Sequence, residues 1–122
     1  MIDMTNREFV RHVRRAYGQL PAEIVRRLDN VDIVVEEWPG PDEAGLAGEH
    51  GALFGTFQGW PLTERHGIGG PLPDRIAIYR QPILRSCETR EEAIREIRIT
   101  LWHEVGHFLG MNEDDLHRLG YG

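Results

Sequence analysis

One cysteine and no lysine occur among the 122 residues of the sequence. A single cysteine cannot form an internal disulfide or a thiolate zinc cluster, so any bound metal must be held by His, Asp or Glu. No window approaches the roughly 18 consecutive apolar residues of a membrane span, and the first residues lack the apolar core of a signal peptide. We therefore expect a cytoplasmic protein with no membrane partner.

The balance of charged residues also excludes one class of partner. The 20 acidic residues outnumber the 14 arginines, which gives a formal net charge of −6, and the arginines are scattered along the chain. Because nucleic-acid-binding proteins usually concentrate basic residues on one surface, we expect no nucleic-acid partner. The composition, 40% apolar and 28% charged, is typical of a folded protein, and the length predicts one domain spanning residues 1–122.

Two helices are predicted at the start of the chain, followed by three strands. Thr5 and Glu8 have the spacing of a capping box, and apolar residues recur at helical intervals from there to Gly18. A shorter helix is predicted over residues 21–30. Glycine- and proline-rich loops then separate three predicted strands, at residues 31–38, 52–57 and 75–80. Within the second strand, Gly55 indicates a bulge or a close approach to another element.

The most regular pattern lies in the last third of the chain. Thr89 and Glu92 form a second capping box, and apolar residues keep helical spacing over about five turns as far as Gly110. Gly110 stands where a left-handed residue would end the helix. Asn112 is placed to cap a short final helix, which we predict to continue through Leu119.

The long helix contains the sequence His103-Glu104-Val105-Gly106-His107. Residues four apart in a helix differ by only about 40° around its axis, so both imidazoles point to one side and can bind one tetrahedral zinc ion. Glu104 would lie beside the metal, where its carboxylate can take a proton from a water whose pKa zinc lowers to about 7. This pattern predicts zinc-dependent hydrolysis of peptide bonds.

Other interpretations of the same residues remain open. Two partly buried histidines that are hydrogen-bonded to backbone would have this spacing without any metal. A single-zinc endoribonuclease has the similar spacing His-x3-His-x5-His, although Glu104 and the acidic composition count against it. A catalytically silent metal-binding domain is the third alternative. Gly106 provides clearance for a strand or a substrate at a cost of about 1 kcal/mol relative to alanine, but close helix packing would explain it equally well.

The segment from His103 to Glu113 resembles the zincin signature His-Glu-x-x-His-x-x-Gly-x-x-(His or Asp). The chain, and residues 50–122 in particular, resembles the small bacterial zincin-like metallopeptidases, or mini-zincins. This resemblance implies that His103 and His107 are zinc ligands and that Glu104 is the catalytic base. It also implies that Glu113 is the third ligand, at a position where the larger families have His or Asp.

His117 is the alternative third ligand, since it lies four residues after Glu113 on the predicted final helix. We expect Glu113 to bind, because it follows Gly110 closely, whereas His117 lies a further turn along the helix. His117 and Tyr121 would then orient the ligands or a bound water.

We therefore expect an α+β, zincin-like single domain, in which a small twisted sheet packs on the long metal-binding helix and the N-terminal helices. A peptide or protein substrate would lie extended along an edge strand, the one at residues 52–57. Three further histidines are isolated in the sequence, and we expect them to be exposed to solvent: His12, His50 and His66.

Overall fold

The computed structural model describes residues 2–41, 53–59, 74–112, 114 and 118. Within them, four helices and three strands occur in the order α1 (Asn6–Gly18), α2 (Ala22–Val25), β1 (Val31–Glu36), β2 (Gly55–Gln58), β3 (Asp74–Tyr79), α3 (Arg80–Ser86) and α4 (Arg90–Phe108). The sheet has the order β1-β3-β2, with β3 parallel to β1 and antiparallel to β2. The expected α+β class is confirmed, and β2 is an outer strand of the described sheet.

Helices α1 and α4 both begin where the capping boxes predict. The side-chain oxygen of Thr5 accepts a hydrogen bond of 3.1 Å from the backbone N–H of Glu8, and Thr89 accepts an equivalent bond of 3.1 Å from Glu92. Each bond satisfies a backbone donor that has no partner within its helix. The predicted long helix is confirmed, since α4 runs for 19 residues.

A Schellman motif ends α4. Gly110 has a φ of 83°, and its N–H donates to the carbonyl of His107 at 3.0 Å, while the N–H of Met111 donates to the carbonyl of Gly106 at 2.9 Å. This pair of bonds defines the motif, and glycine is favoured at its left-handed position because a Cβ would be strained there. The predicted left-handed glycine is confirmed, so the chain leaves the helix within three residues of His107.

The second helix is shorter than predicted, covering Ala22–Val25 in place of residues 21–30. Beyond it, the backbone N–H groups of Arg27 and Leu28 donate to carbonyls only three residues back, at 2.9 and 3.1 Å. These tighter turns precede Asn30, whose φ of 59° is left-handed. Asparagine tolerates that conformation better than most residues, and it directs the chain into β1.

The strand boundaries shift by a few residues from those predicted, because pairing with β3 sets them. Glu36 and Tyr79 are the last pair in the parallel register, so β1 ends at residue 36, two residues before its predicted end. Along the other edge of β3, β2 pairs from Gly55 to Gln58. The predicted strand at residues 52–57 is thus displaced toward the C-terminus, and its first residue lies outside the described part of the chain.

Helix α3 has no counterpart in the predictions. Its seven residues are too few for a helical period to be recognised, and they include Pro82, which the first turn of a helix tolerates. Ile83 and Leu84 are buried, so tertiary packing supplies the stability that short helices lack in isolation.

The hydrophobic core lies where α1, α4 and β3 meet. The indole N–H of Trp102 on α4 donates to the carbonyl of Ala16 on α1 at 3.0 Å, which joins the two helices. The largest fully buried side chains are Tyr79, Phe9, Phe108, Met4, Ile76, Ile78, Ile83, Ile97 and Leu101. The described helices include none with the length and hydropathy that crossing a membrane requires.

The prediction that His12 is exposed to solvent is wrong. His12 is only 8% exposed, because it lies on the same face of α1 as the buried residues Phe9, Val13 and Ala16. Burial is the main reason why the pKa of His12 is held below its usual value. His50 and His66 lie outside the described residues.

Glu96 on α4 gives a prediction about the dependence of stability on pH. It is half-buried, and burial raises the pKa of its carboxyl group, with a partly opposing effect from the Thr100 hydroxyl at 3.4 Å. A raised folded-state pKa means that the charged form destabilises the folded protein. The free energy of unfolding therefore falls as pH rises from the unfolded-state pKa through the folded-state pKa. Glu96→Gln should therefore raise the free energy of unfolding at pH 7.

The gain from Glu96→Gln should vanish below about pH 4.5, where the wild-type carboxyl is protonated in both states. Urea unfolding at pH 7 and pH 4 measures the difference. The control is Glu91→Gln, which removes the same charge from an exposed position in the first turn of α4 and should give no gain. An equal or lower stability of Glu96→Gln at pH 7 would contradict the prediction.

Candidate metal centre

Three side chains near the C-terminal end of α4 form a group that is able to bind a metal ion. The Nε2 atoms of His103 and His107 lie 3.0 Å apart, and their rings meet at 66°. Together with a carboxylate oxygen of Glu104, the ligand atoms lie within 4.8 Å of one another. All three side chains are half-buried, so the group is open to a small molecule on one side.

The separation of the two imidazole nitrogens fits a zinc ion. Two nitrogen ligands of tetrahedral zinc, each about 2.0–2.1 Å from the metal, lie about 3.3 Å from each other. His103 and His107 are within a few tenths of an ångström of that value without rearrangement. This arrangement follows from the helix itself, because side chains one turn apart on α4 share a face.

The same three side chains line a cleft of about 470 Å³ that has β2 as its opposite wall. From the strand side, the cleft is lined by Leu53, Gly55, Thr56, Phe57 and Gly59. The outer strand β2 therefore runs beside the two imidazoles and the carboxylate. Its backbone and these three side chains line the same open cleft.

Gly55 allows β2 to lie directly against α4. A Cβ at this position would be 2.7 Å from the Cγ2 of Thr100 and 3.0 Å from the carbonyl oxygen of Ala77. It would also be 3.4 Å from the Cγ of Glu104. The close approach predicted for this glycine is thus present, and it brings the strand backbone to the base of the Glu104 side chain.

The Gly55→Ala substitution should destabilise the protein by about 1–3 kcal/mol, the usual range for an extra methyl group in a closely packed position. Thr100 is buried and β-branched, and the Ala77 carbonyl is in the central strand, so neither can move easily. Gly18→Ala is the matched control, because a Cβ there has nothing within 4 Å. Urea unfolding should show no loss for the control, and equal stabilities of the two variants would be inconsistent with the close approach.

Two contacts fix the position of β2 along the cleft. The hydroxyl groups of Thr56 and Tyr79 form a buried hydrogen bond of 2.9 Å. The ring of Phe57 meets that of Phe108 edge to face, with centroids 5.8 Å apart at 79°. Because Phe108 directly follows His107 on α4, the strand and the imidazoles are held in one packed unit.

The structure brings together His103, Glu104 and His107, as their helical spacing predicts. The other predicted site residues, Glu113, His117 and Tyr121, lie outside the described residues, so their roles remain predictions. No individual role was predicted for the cleft-lining residues Leu53, Thr56 and Gly59, although Leu53 and Thr56 belong to the strand that was expected to bind substrate. The only signal for them is that they belong to or flank the segment predicted to be an edge strand.

Comparisons with known proteins agree with this geometry. A model of the zincin-like metallopeptidase family matches residues 28–122. Among solved structures, a conserved hypothetical protein from Thermus thermophilus is 27% identical, with a TM-score of 0.59, and the similarity covers 87% of this chain and 94% of that one. Among curated proteins, none matches the chain. The family match covers most of the sequence and includes β2 and the three side chains of the candidate metal centre, so the chain belongs to the zincin-like metallopeptidase family.

Proposed function

We propose that this protein is a zinc-dependent metallopeptidase that hydrolyses peptide bonds in the cleft between β2 and α4. The observation that supports this most strongly is the presence of two imidazoles 3.0 Å apart and a carboxylate in a cleft walled by an outer strand. Each part has a use in peptide hydrolysis, because the imidazoles hold a metal, the carboxylate moves a proton and the strand binds an extended chain.

His103 and His107 would hold the metal through their Nε2 atoms. Imidazole is a common ligand of zinc, and a catalytic zinc site in a protein has three protein ligands and one open position. Glu113 is proposed as the third ligand, with His117 and Tyr121 orienting the ligands or the water. When bound there, zinc would polarise the substrate carbonyl and lower the pKa of a water molecule.

Glu104 is proposed as the general base. Glu104 is the next residue after His103, and its carboxylate oxygen lies within 4.8 Å of the imidazole nitrogens of both histidines. It can therefore accept a proton from a water molecule in the cleft. The proton then passes to the nitrogen of the departing amine, which leaves the carboxylate ready for another turnover. Gly55 lies close to this side chain, since a Cβ added at Gly55 would be 3.4 Å from the Cγ of Glu104.

A peptide or protein substrate would lie extended beside β2. This strand is paired with β3 along one edge, and in the described sheet no strand pairs with its other edge. The unpaired backbone groups of an edge strand can add a further strand by hydrogen bonding. Because β2 also lines the cleft, an added strand would pass in front of Glu104 and the two imidazoles.

The peptidase proposal is favoured over the two alternatives by specific features. The endoribonuclease spacing His-x3-His-x5-His requires a third histidine six residues after His107, and that residue is Glu113. A silent metal-binding domain would not need a general base such as Glu104, whose carboxylate lies in the same cleft as both imidazoles. The peptide-library digestion described next distinguishes the peptidase from both alternatives.

Digestion of a peptide library by freshly purified protein tests the proposal. We expect cleavage at defined sites, loss of cleavage with a chelator, and recovery when zinc is restored. The same preparations should be incubated with a single-stranded RNA, which we expect to remain intact. Zinc binding without peptide cleavage would indicate the silent domain, and chelator-sensitive cleavage of RNA would indicate the endoribonuclease; either result would overturn the proposal.

A further inference from the structure

A groove between α1 and α4 lies on a different face of α4 from the metal centre. It consists of a cavity of about 390 Å³ and an adjoining one of about 150 Å³, which share Gln19 and Arg98. At 100° per residue, the four groove side chains of α4 are centred about 145° around the axis from His103 and His107. We call it the arginine groove and define it by Arg15, Gln19, Ile94, Arg95, Arg98 and Trp102.

The arginine groove is positively charged although the chain as a whole carries a net charge of −6. Elsewhere on the surface, arginines form ion pairs with carboxylates, as Arg80 does with Glu37. No carboxylate of the described residues forms an ion pair with the three groove arginines, Arg15, Arg95 and Arg98, and the same is true of other exposed arginines such as Arg26 and Arg27. Within the described part of the chain, these three guanidinium groups can therefore pair with the carboxylates of a ligand.

The neighbouring His12 is affected by one of the groove arginines. After burial, the largest contributions that lower the pKa of His12 come from the guanidinium groups of Arg15 and Arg11. Its imidazole lines the smaller cavity beside Arg15 and Arg98. Arg15 is the only groove arginine among the groups that act on His12, and the carboxylate of Glu8 opposes them. The positive charge of the groove therefore rests on the placement of Arg15, Arg95 and Arg98 along it.

The groove also has apolar walls. Ile94 is 36% exposed and is one of two large exposed apolar side chains among the described residues. Ile99 and Trp102 are half-buried, and the indole of Trp102 is held by its hydrogen bond to the carbonyl of Ala16. An arginine-lined groove with aliphatic and aromatic walls matches a ligand that alternates carboxylates with apolar side chains.

We propose that the arginine groove binds an acidic peptide segment of a partner protein, with its carboxylates on Arg95 and Arg98 and an apolar side chain against Ile94 and Trp102. A nucleic acid fits less well, because a long polyanion would extend beyond the groove over a chain of net charge −6, whereas a short acidic segment would stay within the groove. Helix α1 precedes residue 28, where the family match begins, so the groove is built partly from a segment outside that match. Binding here requires neither the metal nor peptide hydrolysis.

Titration with a short probe peptide tests the proposal. The probe is acetyl-Glu-Leu-Glu-Glu-Leu-amide, and its uncharged counterpart has Gln in place of each Glu. Calorimetry on the full chain should show that the acidic probe binds at least about tenfold more tightly than the uncharged one, with an affinity that falls as salt increases. Backbone amide shifts in an NMR titration should change most in α1 and in the groove face of α4.

The variant Arg95→Gln/Arg98→Gln should lose at least about tenfold in affinity for the acidic probe. The matched control is Arg26→Gln/Arg27→Gln, which removes two similarly exposed charges from the turn after α2 and should change the affinity by less than about twofold. Urea unfolding checks that both variants are folded. Equal losses in the two variants, equal binding of the uncharged probe, or tighter binding of a ten-residue oligothymidylate than of the peptide would each overturn the proposal.

Discussion

Replacement of Glu104 by Gln is expected to lower peptide turnover at least about a hundredfold while zinc remains bound. Glutamine keeps the size of the side chain but cannot accept a proton from water, and removal of a general base typically lowers the rate by about 10²–10⁴-fold. His103 and His107 remain in place, so the metal affinity should change little. The effect should appear mainly in kcat, because loss of the proton acceptor raises the free energy of the transition state and leaves substrate binding unchanged.

The control for Glu104→Gln is Glu91→Gln, which removes one carboxylate from an exposed position on the same helix, away from the cleft. Its kcat should equal that of the wild type. Peptide cleavage by Glu104→Gln at the wild-type rate, with zinc bound, would show that another group is the base.

Replacement of either His103 or His107 by Ala is expected to lower zinc affinity by more than about a hundredfold. Loss of a residue that only orients a ligand costs about 10–100-fold in affinity, and loss of a ligand should exceed this. Each variant would leave one imidazole of the 3.0 Å pair, so the two-point attachment to the metal would be lost. Calorimetric titration of the metal-free proteins measures the effect.

The matched control for the histidine variants is His12→Gln, which removes an imidazole that lies on α1 and not in the metal group. Its zinc affinity should equal that of the wild type. Wild-type zinc affinity in both His103→Ala and His107→Ala would contradict the prediction. The contact between the two imidazoles would then be a hydrogen bond with no role in metal binding.

The helices that support the site could be predicted because their signals are local. Thr5 and Thr89 each have a glutamate three residues later, and Gly110 comes two residues after the end of α4. These residues act on the backbone within one turn, so the surrounding fold does not alter their effect. The positions of His103, Glu104 and His107 follow directly, because helical geometry sets their relative directions.

The cleft opposite those residues depends on tertiary contacts that the sequence does not encode locally. Gly55 indicates a close approach, but nothing near it in the sequence identifies Thr100, Ala77 and Glu104 as the groups approached. The ends of β1 and β2 are likewise set by pairing with β3, which explains why those boundaries differ from the predictions. The identity of the third ligand, Glu113 or His117, also cannot be derived from local sequence. It depends on the path that the chain takes after Gly110.

A crystal structure of the zinc-loaded protein, with the metal located by anomalous scattering at the zinc edge, is the most direct test of this account. We expect one zinc ion per chain, bound by the Nε2 atoms of His103 and His107 at about 2.0–2.1 Å and by a carboxylate oxygen of Glu113. A nitrogen of His117 at that distance, with Glu113 turned away, would replace only the third ligand. Zinc bound elsewhere, with the two imidazoles of α4 bonded to each other and not to a metal, would contradict the central claim.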